Sequence, residues 1–337
     1  MSPVNVGVVG ATGMVGEVFL QLLEQRKFPV GTLRLYASEN SEGQTLEFDG
    51  KSITLEILKD GCFDGLDLVF FSSGDPISKE WAPHAVAAGA YAVDNSAAFR
   101  MDPNTPLVVP EINAHLIPER GNPCIIANPN CSTIQLVVAL NPLARKYGLE
   151  KVTVSSYQAV SGAGKAARDE LIEQLSDLLN NEDEIYAEAF PHPIAFNAIP
   201  QIGSFDDEGF SSEERKIMNE TKKILDLPDL KVSAFTVRIP TVNGHCESVW
   251  ATLKTDTTRR DITATLSDSE GIVVQDDPKN SHYPTVMDVS GSDPVFVGRI
   301  HKDLAQARTW ILWVVADNLR KGAALNGIQI AEKIFCS

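Results

Sequence analysis

The stretch Val4-Asn5-Val6-Gly7-Val8-Val9-Gly10-Ala11-Thr12-Gly13-Met14-Val15-Gly16 decides the fold. Its first six residues form an apolar, valine-rich run of strand length, and from Gly13 an amphipathic helical pattern continues to Gln25. Between them, small residues allow a turn tight enough to bring backbone N–H groups, at the positive end of the coming helix, against a pyrophosphate. A glycine triplet by itself equally suits plain close packing. The strand before it and the helix after it make dinucleotide binding the expectation.

Outward from that turn, short apolar runs at 32–37, 66–72, 91–95 and 124–127 alternate with a helical stretch at 79–90, the pattern of βαβ units around a parallel sheet. The strand ends should deliver the ligand-binding loops to one edge. From residue 151 the pattern changes to longer strands, at 151–160, 232–240, 245–254 and 309–316, interleaved with polar helices. This predicts a second, α+β domain with a more antiparallel sheet. The final segment, 317–335, reads as helical with apolar positions at Leu319, Ala323, Ile328, Ala331 and Ile334. The expected organisation is α/β: a Rossmann-type cofactor domain of residues 1–130 with 317–337, and a catalytic and dimerisation domain of residues 131–316.

A chain of 337 residues has room for two ordinary cores. Its net charge of −16 argues against a nucleic-acid partner, which requires a basic face. The longest strongly apolar run, 310–316, is far short of the roughly 20 residues of a membrane helix, and the N-terminus lacks a signal-peptide pattern. The expected location is the cytoplasm. The acidic stretch 180–184 reads as a solvated loop. Five widely spaced cysteines without a C-x-x-C pair suggest neither a zinc site nor a redox couple, so no metal is expected.

One cysteine has unusual company. Asn128-Pro129-Asn130-Cys131-Ser132-Thr133 lies between a buried strand and an apolar helix over 134–144, placing Cys131 at or near a helix N-terminus, where a thiolate is stabilised. The backbone N–H groups there, with the Asn130 side chain, are suited to an oxyanion. A thiolate that attacks an aldehyde gives a thiohemiacetal, and its oxidation by a nicotinamide needs a base for the hydroxyl proton. Among six histidines, His245 stands out because an Asn243-Gly244 turn presents it between two strands. At the end of the second strand, Ser38, Asn40 and Ser41 are hydrogen-bond donors for a ribose phosphate, but Glu39 and Glu42 stand beside them and no Lys or Arg is present. The residues leave NADP and NAD both open.

The chain resembles the aspartate-semialdehyde dehydrogenase family, and the resemblance runs from Gly7 almost to the C-terminus. It is carried by GATGMVG at 10–16, DNSAAFR at 94–100, VVPEIN at 108–113, NPNCST at 128–133, SYQAVSGAG at 156–164, EERK at 213–216, RIPTVNGH at 238–245 and WVVADN at 313–318. The resemblance implies that Cys131 is the acyl-thioester nucleophile, His245 the general acid/base, and Gln158 the residue that orients substrate and thioester carbonyl. It implies that Arg238 pairs the substrate α-carboxylate and Glu213 the amino group, while Arg100 and Lys216 bind phosphate. Cofactor contacts are implied at Gly10, Thr12, Gly13, Met14, Val15, Ser38, Asn40, Ser41, Ser161, Gly162 and Asn318. It further implies a homodimer joined through the second domain. The sequence departs from the family at Asn40 and Gln44, where many members carry Arg and Lys, which bears on NADP preference and not on the reaction. The related N-acetyl-γ-glutamyl-phosphate reductases share the Cys and His roles but have a substrate without a free amine, and Glu213 argues against them. An inactive structural paralogue is the other alternative, and the presence of Cys131, Gln158, Arg238 and His245 argues against it.

Overall fold

A computed structural model describes residues 2–180 and 185–336, so the acidic stretch beyond residue 180 lies outside the described residues. The chain divides into two compact units, residues 1–130 with 323–337 and residues 131–322.

The first unit is built on a seven-stranded sheet. In sequence its strands are β1 (Val4–Val9), β2 (Val30–Tyr36), β3 (Thr45–Phe48), β4 (Lys51–Glu56), β5 (Leu68–Phe71), β6 (Tyr91–Asp94) and β7 (Ile125–Ala127). Their spatial order is β3-β4-β2-β1-β5-β6-β7, all parallel except β3. Order reverses at β1, so the glycine turn sits at the switch point of a doubly wound sheet. Helix Met14–Gln25 buries Phe19, Leu20, Leu22 and Leu23, and Phe19 stacks on Phe70 of β5 at 3.8 Å. Helix Leu325–Phe335 buries Leu325, Ile328, Ile330, Ala331 and Ile334 in the same core. At Gly327 a Cβ would fall 2.4 Å from the Phe70 ring, so this helix approaches the sheet closely only as glycine. The β3–β4 hairpin was not anticipated, because its exposed strands carry no continuous apolar run.

The second unit has a six-stranded sheet of β8 (Leu149–Gln158), β9 (Lys231–Arg238), β10 (His245–Leu253), β11 (Ile272–Val274), β12 (Val295–Lys302) and β13 (Thr309–Ala316). The order is β11-β12-β13-β10-β8-β9, antiparallel through its centre and parallel at both edges. Alternation along the central strands is clear: Val152, Val154, Ser156 and Gln158 point to the buried face, and Tyr157 and Trp313 to the other. Helices Cys131–Tyr147, Ser212–Leu225 and Arg259–Ser267 cover the buried face.

Residues 317–322, which the sequence reading gives to the first domain, belong to the second unit. Asp317 accepts from Asn243 Nδ2 and the Gly291 N–H, both at 2.7 Å, and Asn318 accepts from the Gly244 N–H at 2.8 Å. These bonds tie the segment down before the terminal helical stretch, which opens as a π-helical turn over Arg320–Ala324 and continues as the α-helix Leu325–Phe335, slightly later than the expected start at 317. No helix among the described residues is long and apolar enough to cross a membrane.

Candidate active site

Cys131 is the first residue of helix Cys131–Tyr147 and is half-buried, whereas Ser132 to Leu140 behind it are all buried. A helix start bound to the sheet in this way holds the sulfur at the positive end of the helix dipole. A Cβ at Gly322 would stand 3.1 Å from that of Cys131, so the chain passes the sulfur's residue closely because position 322 is glycine. The other four cysteines differ in kind. Burial pushes the thiols of Cys62, Cys124 and Cys336 up, and that of Cys246 up to about 12, which disfavours their thiolates.

Gln158, Arg238 and His245 end or begin three adjacent strands, and all three are buried. Gln158 pairs in register with Arg238, and the β8–β10 register carries His245 to the same row. Gln158 Nε2 donates to Ser156 Oγ at 3.1 Å and to Glu213 Oε1 at 3.3 Å. Glu213 lies in the first turn of helix Ser212–Leu225, whose start is fixed by a capping box between Ser211 and Glu214. Glu214 also accepts from the Thr236 N–H of β9 at 3.1 Å, locking this helix end to the strand of Arg238. Lys216 Nζ stands 3.4 Å from Glu213 Oε2.

Arg238 donates from Nη1 to the Ala159 carbonyl at 2.6 Å and leaves Nε without a partner. Burial pushes its guanidinium down, opposed by the negative charges of Glu213 and Cys131. His245 is fully buried, and its Nδ1 accepts from the Ala159 N–H at 3.1 Å. The neutral ring therefore carries its proton on Nε2, which has no partner. Burial, with the positive Arg238 beside it, holds the imidazole down at about 3. Gly162 closes this corner: a Cβ there would meet Arg238 Nη1 at 2.9 Å and His245 Cε1 and Nε2 at 3.2 Å. Beside it, Asn318 Nδ2 donates to Ser161 Oγ at 3.0 Å, and Asn243 Nδ2 donates to Asp317.

In the first unit, Gly10 adopts φ +81° and a Cβ at Gly16 would fall 2.3 Å from the Gly10 carbonyl oxygen. The helix that follows has Gly13 at its N-cap and no side-chain cap, leaving Thr12, Met14 and Val15 around a helix start with its first N–H groups directed outward. These features fit a dinucleotide pyrophosphate. Ser38 and Asn40 are exposed and Ser41 half-buried, in a single 3-10 turn at the end of β2. Arg100 is buried, donating from Nε to the Asn128 carbonyl at 2.9 Å and from Nη2 to the Asn95 carbonyl at 2.8 Å.

The structure thus brings Cys131, Gln158, Glu213, Lys216, Arg238 and His245, with Ser161, Gly162 and Asn318, into one connected set within the second unit. The glycine turn, the Ser38 turn and Arg100 belong to the first. Sequence reading placed Asn243 in the turn that presents His245 but missed its bond to Asp317, and it missed Asp317 and Gly322 as supports and Glu247 altogether. A signal for Glu247 existed, since a residue two places after an inward His245 on a strand must also point inward.

Residues 5–119 match the family model described as semialdehyde dehydrogenase, NAD binding domain, and residues 140–321 that of the semialdehyde dehydrogenase dimerisation domain. The chain is 49% identical over 338 residues to an aspartate-semialdehyde dehydrogenase of Bacillus subtilis, covering 98% of this chain and 97% of the relative. A crystal structure of aspartate semialdehyde dehydrogenase II from Vibrio cholerae complexed with ASA superposes with a TM-score of 0.95 at 43% identity, covering 99% of this chain and 98% of the other. A more distant structure from Candida albicans, an aspartate semialdehyde dehydrogenase with NADP, matches at TM-score 0.77 and 27% identity over 98% of each chain.

Proposed function

The chain belongs to the aspartate-semialdehyde dehydrogenase family, and on that premise we propose a mechanism in which Cys131 carries the acyl group between hydride transfer and phosphorolysis. It is an oxidoreductase acting on an aldehyde in amino-acid biosynthesis, interconverting L-aspartate 4-semialdehyde and L-4-aspartyl phosphate on the route to lysine, threonine and methionine. The relatives do not favour an N-acetyl-γ-glutamyl-phosphate reductase or an inactive paralogue.

The observation that carries the mechanism is the half-buried Cys131 at a helix start, within the field of Arg238, whose corner also holds an unpartnered His245 Nε2. In the oxidative direction the Cys131 thiolate attacks the aldehyde carbon, a C–S bond forms, and the carbonyl π pair moves onto oxygen. His245 Nε2–H donates to that oxyanion, and Gln158 orients it. Where solvent protonates that oxyanion, His245 takes the hydroxyl proton back at Nδ1, the ring turning off the Ala159 N–H that now occupies it, as the oxygen pair re-forms the C=O. A nicotinamide dinucleotide, which the Gly10–Val15 turn would hold by its pyrophosphate, would supply the hydride acceptor; loss of hydride from the thiohemiacetal carbon leaves the acyl-thioester on Cys131. A phosphate oxygen, held by Arg100 and Lys216, then attacks the acyl carbon and the C–S bond breaks, returning the thiolate. Arg238 and Glu213 read the α-carboxylate and α-ammonium of the substrate, charges for which an acid–base pair is the natural complement.

NADP is the proposed preferred cofactor, with NAD tolerated, because Ser38, Asn40 and Ser41 offer only neutral donors for a 2′-phosphate. We read the protein as a cytoplasmic homodimer, with the dimerisation-domain match over 140–321 supporting the second part. The test is NADP reduction by aspartate semialdehyde with and without phosphate. Multiple turnovers should require phosphate; phosphate-independent turnover would sink the phosphorolysis step.

A further inference from the structure

Glu247 is an acid for which the mechanism above has no use. It follows His245 by two residues on β10, so it points to the same inward face, and it is fully buried. Neither carboxyl oxygen has a hydrogen-bond partner. The side chain that acts on it from the helix is that of Gln135, which lies one turn beyond Cys131 on the same helix face and is itself buried. The amide N and O of Gln135 are also unpartnered, because the two side chains, though neighbours, do not meet in good bonding geometry.

Four orphaned polar atoms in so dry a place would be costly if they stayed unpaired. Burial pushes the Glu247 carboxyl well above the usual range, and the Glu213 carboxylate adds to this. A carboxylic acid presents one donor and one acceptor, and a carboxamide edge presents the same pair reversed. Reciprocal O–H···O=C and N–H···O=C bonds would satisfy all four atoms at once. The terminal torsions of Glu and Gln are soft, so a rotation of either group brings them into register at little cost.

We propose that Glu247 is a positioning residue: its protonated carboxyl and the Gln135 carboxamide form a reciprocal pair that fixes the Cys131 helix against the strand of His245. The pair spans the two elements that carry nucleophile and imidazole, which is why it bears on the reaction and not on the fold alone. The inference rests on the reading of Cys131 as nucleophile. The titratable and charged groups facing this corner are Glu213 from the neighbouring helix and, along the same sheet face, the neutral His245 and the charged Arg238.

The test compares Glu247→Leu, Glu247→Gln and Gln135→Met in the full-length enzyme, with Cys131→Ser alongside. Glu247→Leu and Gln135→Met should lower kcat by about 10- to 100-fold while KM for the semialdehyde moves less than about 3-fold, since position and not binding is lost. Both should slow alkylation of Cys131 by iodoacetamide, followed at its own peptide. Glu247→Gln keeps a donor and an acceptor, so it should rescue kcat to within about 3-fold, with the wild-type pH profile. If Glu247→Leu does not fold, Gln135→Met reads the same pair from the helix side. The proposal is overturned if Glu247→Gln is as impaired as the apolar variants or loses a limb of its pH profile, or if both apolar variants have normal kcat. An active Cys131→Ser would sink the nucleophile reading; an inactive one beside a normal Glu247→Leu would sink only the pairing.

Discussion

Replacing Gly162 by alanine should damage catalysis without dissolving the fold. The new Cβ would stand 2.9 Å from Arg238 Nη1 and 3.2 Å from His245 Nε2, where ordinary contact begins at roughly 3.4 Å. Neither neighbour yields easily, because Arg238 Nη1 is held at 2.6 Å by the Ala159 carbonyl and His245 is fully buried. Relief therefore moves the pair by roughly half an ångström. A misplacement of about 1 Å at a reacting centre costs about 100-fold, so about 10-fold in kcat is expected here, or about 1.4 kcal/mol of activation free energy. Overpacking costs about 1–3 kcal/mol of stability, a modest part of the 5–15 kcal/mol of a typical domain. Steady-state kinetics of NADP reduction, with a thermal melt on the same preparation, gives both numbers. A folded Gly162→Ala enzyme with wild-type kcat would show that the Arg238–His245 corner does not serve the reaction.

Three further outcomes follow from the charges. His245 stays neutral in the fold down to about pH 3 while the unfolded chain protonates near 6.5, so acidification through that window favours unfolding by up to about 1.4 kcal/mol per pH unit. Melting curves of His245→Gln should fall less steeply with acid than the wild type over this range; parallel curves would contradict the burial argument. Arg100→Ala and Lys216→Ala should each raise KM for phosphate by about 10-fold, the scale of one charge-assisted hydrogen bond, and leave phosphate-free acylation intact. Loss of semialdehyde affinity with normal phosphate affinity would reassign both residues. Asn40→Arg should raise the NADP-to-NAD ratio of kcat/KM by about 10-fold, and an unchanged ratio would place the 2′-phosphate elsewhere.

The parts legible in the sequence were those carried by periodicity and by loops with chemistry of their own. The run from Val4 to Gly16 encodes strand, turn and helix without help from distant residues, and β13 matched its expected bounds at Thr309–Ala316. Cys131 and His245 stood out from their local sequence and Gln158 and Arg238 through the family resemblance, and the strand register puts Gln158, Arg238 and His245 on a common face. The β3–β4 hairpin was passed over because its strands are short and carry only two apolar residues each, Leu46 and Phe48 in β3 and Ile53 and Leu55 in β4, alternating with polar ones and forming no apolar run. Not legible was the segment 317–322, whose allegiance is decided by Asp317 and Asn318 bonding to residues distant in sequence. The tautomer of His245 was equally invisible, because a single backbone N–H, that of Ala159, selects it.

The central claim is that Cys131 carries the acyl group, and a phosphate-free mixing experiment tests it most directly. Enzyme mixed with aspartate semialdehyde and NADP should release a burst of reduced cofactor stoichiometric with subunits and then stall, with the acyl mass found on the peptide containing Cys131; adding phosphate should restart turnover. Cys131→Ser should show neither burst nor adduct. Steady turnover without phosphate, a burst whose adduct lies on another residue, or a normal burst from Cys131→Ser would contradict the account.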